Sequence, residues 1–277
     1  IGTDHLDTQW LDDQGITWSA APGCNADAAA QYTLAMILLA CERLEHDIQK
    51  RGVGIIGYGN VGSRLRRLLN SLGVANVACD PPLQDQGTKG LVSMDEALDH
   101  DIVSLHVPLT RNGPYPTRHL INRQNLKQVR EGALLVNTSR GDVIESNALL
   151  HSLQNGRLNA ALDVWPNEPA ISTQLLDATV VASPHVAGYS FEGKQNGTLQ
   201  IYHAFCNWLG IEHESWPNQQ KLVPVNPADL AKSLTRSCAV ETDDRNIRRL
   251  GGLPPDEVAS GFDNLRKDYR LRHDISA

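Results

Sequence analysis

Between Gly52 and Val186 the chain alternates short apolar runs with longer amphipathic stretches. "GVGIIG", "VANVACD", "DIVSLHV", "GALLVNTS", "NAALDVW" and "TVVASPH" are compact and rich in Val, Ile, Leu and Ala. They lack the apolar–polar alternation of a half-exposed strand, and such runs are what strands buried on both faces look like. Helix candidates such as Ser63–Leu72 and Ser146–Asn155 lie between them. Strands alternating with helices predict an α/β fold with a doubly wound parallel sheet. Two longer helix candidates flank this block. Asp27–Gln49 precedes it, with Asp27 as the N-cap and an apolar face through Tyr32, Met36 and Leu39, and Phe191–Leu209 follows it. Beyond Leu209, "GIEHESWPNQQKLVPVNP" is polar and Pro-punctuated and reads as a linker. The charged end of the chain, with "DDRNIRR" and "FDNLRKDYRLRHD", reads either as solvated helices or as a partner-binding module.

Composition narrows the classes. The 277 residues suffice for two domains with their own cores. A formal charge of −7 argues against a broad nucleic-acid footprint, so an anionic ligand has to be held by a few placed groups. The five cysteines are scattered without a CxxC pair, which suits reduced thiols in a cytoplasmic protein and gives no zinc site. The longest apolar run, Leu34–Cys41, is too short to span a bilayer, and no secretory signal is visible.

"VGIIGYGNVG" puts Gly57, Gly59 and Gly62 in a G-x-G-x-x-G pattern directly after an apolar run, with Asn60 and Val61 opening the helix behind it. The first glycine permits a tight turn, the second lets backbone approach a pyrophosphate, and the third allows close helix–strand packing. Asp80 follows Gly62 by 18 residues at the end of the next strand. An acidic group there accepts from a ribose 2′-OH and repels a 2′-phosphate, which favours NAD over NADP.

In open α/β sheets ligands sit beyond the carboxyl ends of the strands. Here those ends carry His106 and Pro108, then Arg140, then Asp163 with Glu168, then His185. Arg140 can take a substrate carboxylate without losing its charge. A neutral imidazole such as His185 can accept a hydroxyl proton near pH 7, and Glu168 can fix its tautomer from the other ring nitrogen. Asp163 could approach the nicotinamide end, while His106 reads as structural or as lining the cofactor cleft. No metal is required by this chemistry. Together these residues supply what oxidation of a 2-hydroxy acid needs.

The segments "GYGNVG", "HVPLT", "NTSRG", "DVWPNEP" and "PHVAG", in this order, resemble the D-isomer-specific 2-hydroxyacid dehydrogenases, and the likeness runs over most of the chain. It implies Arg140, Glu168 and His185 as catalytic, and Asp80, Val107, Pro108, Asp163 and Gly188 as NAD contacts beside the glycine turn. "GTDHLD", "AAPGCNA", "CDPP", "NGPYPTRHL" and "AGYSFEGKQNGT" resemble one branch of that family. That branch oxidises 4-phospho-D-erythronate to 2-oxo-3-hydroxy-4-phosphobutanoate on the way to vitamin B6, and the likeness makes Tyr189 a substrate contact. It further implies a homodimer, with "GLPPDEVASGFDNLRKDYRLR" as part of a C-terminal dimerisation region.

The implied organisation is a remnant of a flavodoxin-like substrate domain over 1–26 and a Rossmann NAD domain over 27–186. A helix over 187–212 then returns to the substrate domain, and a linker with a partial dimerisation domain fills 213–277. Because the chain opens at Ile1 without the family's amino-terminal segment, it reads as a fragment of a longer enzyme. Two other readings stay open: another NAD-dependent D-2-hydroxyacid dehydrogenase, such as a phosphoglycerate type, and a non-catalytic NAD-binding or corepressor-like protein. An empty Rossmann module is a third.

Overall fold

All six apolar runs become strands of one parallel sheet in the computed structural model, which describes residues 2–214 and 223–276. The strands are β1 (Val53–Ile56), β2 (Asn76–Cys79), β3 (Ile102–Leu105), β4 (Leu134–Asn137), β5 (Asn159–Leu162) and β6 (Val181–Ala182). Their order is β2-β1-β3-β4-β5-β6. β1, β3 and β4 are buried at every position, as their unbroken apolar runs require. Strand order reverses between β1 and β3, which opens the crevice where doubly wound sheets bind ligands.

The helices, in chain order, are α1 (Thr8–Asp13), α2 (Ala26–Arg43), α3 (Asn60–Ser71), α4 (Pro81–Asp85), α5 (Met94–Leu98), α6 (Ser146–Gln154), α7 (Thr173–Ala178), α8 (Phe191–Leu209), α9 (Leu230–Cys238), α10 (Val240–Arg248) and α11 (Pro255–Lys267). Two apolar clusters cover the two sheet faces. One joins α2 and α3 to Val53, Ile55 and Val136; the other joins Ile56, Leu105 and Leu135 to α6 and α7.

α2 differs from the expectation at both ends. Its N-cap is Asn25, and Asp27 instead lies in the first turn, where it accepts from Arg64 Nε at 2.8 Å. The helix stops at Arg43, six residues before Gln49, because Glu45 turns left-handed at φ +56° and His46 N–H closes on Cys41 O at 2.8 Å.

Of the polar linker, residues 215–222 lie outside the described residues. The charged end is neither wholly solvated nor detached. α9 lays Leu230, Leu234 and Cys238 on the α2 cluster, and Ile247 of α10 with Val258 and Phe262 of α11 enters the other. A short parallel pair, β7 (Val223–Pro224) with β8 (Ile275–Ser276), completes this segment. All five cysteines are free and buried. No helix among the described residues is long and apolar enough to cross a membrane.

Candidate active site

At the end of β1, Gly57 adopts φ +92°, and a Cβ there would meet His106 O at 2.4 Å. A Cβ on Gly62 would meet Gly57 O at 1.9 Å, so α3 presses directly on the turn. Gly59 has no atom within 4 Å of its Cβ position, which leaves open space beside the backbone. No side chain caps α3, so the N–H groups that open it at Asn60 and Val61 face outward with the positive end of the helix.

Asp80 sits against this turn. Oδ2 accepts from Tyr58 N–H at 2.8 Å, and Oδ1 caps α4 by accepting from Leu83 N–H at 3.1 Å. A carboxylate offers about four lone-pair sites, so acceptor capacity remains for a ribose hydroxyl. Val107 flanks Gly57 from the end of β3, and Pro108 beside it is exposed. The tight turn, open Gly59, uncapped α3 and Asp80 fit a dinucleotide.

His106 belongs behind this turn. Its Nε2 pairs with Ser104 Oγ at 2.8 Å, and burial pushes the imidazole down to about 3, so it is neutral.

On the other side of the crevice, His185 Nδ1 and Glu168 Oε2 lie 2.6 Å apart. Trp165 N–H donates to the second oxygen, Oε1, at 2.8 Å and fixes the carboxylate's orientation. A carboxylate on Nδ1 assigns the proton there and leaves Nε2 as the acceptor. Both side chains reach the surface, His185 at 27% and Glu168 at 18% exposure.

His185 is held in the left-handed region at φ +59°. A non-glycine residue persists there only where its surroundings over-determine it. Here His185 N–H donates to Asp163 O at 2.7 Å, while the Asp163 carboxylate accepts from Ser183 Oγ at 2.6 Å, Val186 N–H at 2.9 Å and Ala187 N–H at 3.0 Å. From the opposite side Arg272 donates to Val186 O at 3.2 Å, to Tyr189 O at 2.9 Å and to Ala187 O. Asp163 is fully buried, and its carboxylate lies beneath the loop that it holds.

Arg140 follows β4. A Cβ on Gly141 would meet the Trp165 carbonyl carbon at 2.0 Å, so the Arg140 turn lies directly on the turn that leads to Glu168. β4, β5 and β6 are neighbours, and their carboxyl ends bring Arg140, Glu168 and His185 to one edge. The Arg140 guanidinium donates from Nη1 to Ser139 O at 2.7 Å and from Nε to both Asp4 oxygens at 3.1 Å.

Next to it opens a cleft of about 700 Å³ lined by Thr3, His5, Gly188, Tyr189 and Lys194. Lys194 Nζ stands 5.3 Å from the Tyr189 ring centroid, and the Tyr189 hydroxyl accepts from Arg266 at 3.4 Å. Gly188 O accepts from Asn25 Nδ2 at 3.4 Å.

Asp4, Asn25 and Arg272 were not anticipated as site residues. They come from segments remote in sequence, and no spacing rule connects them to the strand ends. Chemically, the arrangement offers a cation for a carboxylate, an oriented imidazole and a dinucleotide cradle.

Comparisons with known proteins point the same way. Residues 35–187 match the family model "D-isomer specific 2-hydroxyacid dehydrogenase, NAD binding domain". An erythronate-4-phosphate dehydrogenase of Escherichia coli O1:K1 is 39% identical over 291 residues, an alignment covering all of this chain and 75% of that protein. The enzyme of that name from Shigella boydii serotype 18 is likewise 39% identical with the same coverage. Among solved structures, the D-lactate dehydrogenase of Aquifex aeolicus, complexed with NAD and lactic acid, aligns with a TM-score of 0.64 and 26% identity. That alignment covers 75% of this chain and 74% of that one. A D-lactate dehydrogenase from Treponema pallidum gives a TM-score of 0.61 and 28% identity, covering 76% and 74%. NAD is thus the cofactor and NAD-dependent hydroxyacid oxidation the reaction type. A glycine turn and strand-end chemistry of this kind, matched over the whole chain, place it among the D-isomer-specific 2-hydroxyacid dehydrogenases, as an NAD-dependent oxidoreductase.

Proposed function

We propose that this chain oxidises 4-phospho-D-erythronate to 2-oxo-3-hydroxy-4-phosphobutanoate, a step of vitamin B6 biosynthesis. The observation that carries the chemistry is the 2.6 Å pair of His185 and Glu168 at the strand edge that also bears Arg140. The phosphorylated substrate is supported by the 39% identity to erythronate-4-phosphate dehydrogenases across the whole chain.

In this reading Arg140 holds the substrate carboxylate with its free N–H groups. His185 Nε2 takes the proton of the 2-hydroxyl as the C–H hydride departs. NAD, held by Gly57, Gly59, Asn60, Val61, Gly62 and Asp80 with Val107, Pro108 and Gly188 along the crevice, supplies the hydride acceptor. Glu168 keeps Nε2 unprotonated beforehand and stabilises the imidazolium afterwards. Asp163 serves the cofactor end through the loop it clamps, and Tyr189 with Lys194 borders the cleft open to the rest of the substrate. The active assembly is a homodimer in the cytoplasm.

The test is turnover of 4-phospho-D-erythronate against 3-phosphoglycerate with NAD, followed at the NADH absorbance. Preference for 4-phospho-D-erythronate is expected. Preference for 3-phosphoglycerate overturns the substrate assignment, and NADH binding without hydride transfer to any 2-oxo acid overturns the catalytic one.

A further inference from the structure

Arg140 does not stand alone at the mouth of the crevice. A guanidinium has five N–H donors in a fixed planar fork. In Arg140, Nε–H is shared by both Asp4 oxygens at 3.1 Å, Nη2 lies 3.0 Å from Asp4 Oδ1, and Nη1 donates to Ser139 O at 2.7 Å. One N–H on each terminal nitrogen is left, and two donors are what a carboxylate takes. Asp4 lies 136 positions from Arg140 in the chain, at the lip of the cleft that Thr3, His5 and Tyr189 line.

The contact is built on both sides. A Cβ on Gly2 would stand 2.5 Å from Arg140 Nη2 and 2.6 Å from Asp4 Oδ1, so the chain passes close beside the pair. The two side chains are about a quarter exposed, 27% for Arg140 and 25% for Asp4. Burial raises the Asp4 carboxyl, but the Arg140 hydrogen bond and charge outweigh it and hold the group below its ordinary value.

We propose that Asp4 is a positioning residue for substrate recognition: it grips the Nε/Nη2 edge of Arg140 and presents the remaining N–H groups to the carboxylate of the 2-hydroxy acid. The inference rests on Arg140 binding that carboxylate. An untethered arginine would have to order its long side chain at each binding event and lose its rotamer freedom there. Asp4 removes that cost beforehand. The competing geometry has the Asp4 carboxylate standing in the substrate's place, which would make it a block.

Asp4→Asn, Asp4→Ala and Asp4→Glu separate these cases, with NADH fluorescence, oxamate binding to the NADH complex and 2-oxo acid reduction measured for each. NADH affinity is expected to stay at the wild-type value in all three. Oxamate affinity and kcat/KM should fall about 10- to 100-fold in Asn and Ala, with KM for the oxo acid rising more than kcat falls. Asp4→Glu should recover part of the loss, which a merely structural role would not predict. Unchanged oxamate binding in Asp4→Ala overturns the proposal, and so does tighter binding with faster turnover, the mark of a block. If the wild type binds NADH but not oxamate, the role of Arg140 fails and this inference falls with it. Loss confined to the Asp4 variants is the distinct outcome that supports both.

Discussion

At residue scale, two histidines that both follow strand ends meet different surroundings, a carboxylate for His185 and burial for His106. His185 keeps Nδ1 on Glu168 Oε2. Replacing Glu168 by Gln keeps the shape but removes the charge that stabilises an imidazolium. We expect kcat to drop about 10²- to 10⁴-fold with NADH binding unchanged, as single-turnover absorbance and fluorescence titration would show. A drop under threefold would mean that Glu168 only packs. His106, by contrast, is held at about 3 by burial against an ordinary 6.5, so the unfolded chain binds a proton there that the folded one refuses. Stability contributed at this site is complete above pH 6.5 and is lost as pH falls from 6.5 toward 3, by at most ~1.4 kcal/mol per pH unit. Urea denaturation of His106→Gln and the wild type at pH 7 and pH 5 checks this. The gap between them should shift in favour of the variant at pH 5, and a constant gap refutes it. Sequence alone shows that both residues end strands. It does not show that one meets a carboxylate and the other only Ser104, because that depends on which loops the sheet order brings together.

Among the elements, the glycine turn joining β1 to α3 is legible in the sequence itself, since its three positions carry three separate steric demands. A Cβ on Gly62 meets backbone while one on Gly59 meets open space, and substitution can tell the two positions apart. Gly62→Ala puts a methyl 1.9 Å from Gly57 O, so thermal unfolding should occur well below the wild-type temperature. Gly59→Ala meets nothing within 4 Å, so it should lower NADH affinity more than it lowers stability. If both variants lose stability equally and retain NADH affinity, the cradle is misassigned. The helices behind the turn are readable for the same local reason: α8 spans Phe191–Leu209 as its pattern predicts, with Ser190 Oγ capping Gly193 N–H at 2.9 Å. The end of α2 is not readable in this way. Its stop uses Glu45 at φ +56° where the rule anticipates glycine, and only packing of the following segment selects that conformation.

For the whole molecule, the charged C-terminal segment is part of the machinery that shapes the site, although its sequence reads as solvated or partner-binding helix. Amphipathic spacing at Leu230, Leu234 and Cys238 tells that one face is apolar, but not that α2 covers it. Charge patterning misleads most at Arg272, which is only 8% exposed and stacks 4.8 Å above the Tyr32 ring. Its guanidinium donates to Ala28 O at 3.1 Å, to the Tyr269 hydroxyl at 3.1 Å and to the carbonyls of Val186, Ala187 and Tyr189. Asp163 satisfies the N–H groups of the His185 loop from below, and Arg272 satisfies its carbonyls from above. The loop carrying His185 is therefore closed by a residue from the far end of the chain. Arg272→Met keeps the stem and removes the donors, stranding several buried carbonyls that each cost about 1–3 kcal/mol. Partial relaxation should leave a net loss of about 3–5 kcal/mol by urea denaturation, with Arg272→Lys intermediate. Under conditions where Arg272→Lys stays folded, its hydride-transfer rate should fall while NADH affinity holds, because Asp80 and the glycine turn draw none of their hydrogen bonds from Arg272. Wild-type rates in a stably folded Arg272→Met would show that Asp163 alone fixes His185, and that the C-terminal segment adds stability without shaping the reaction.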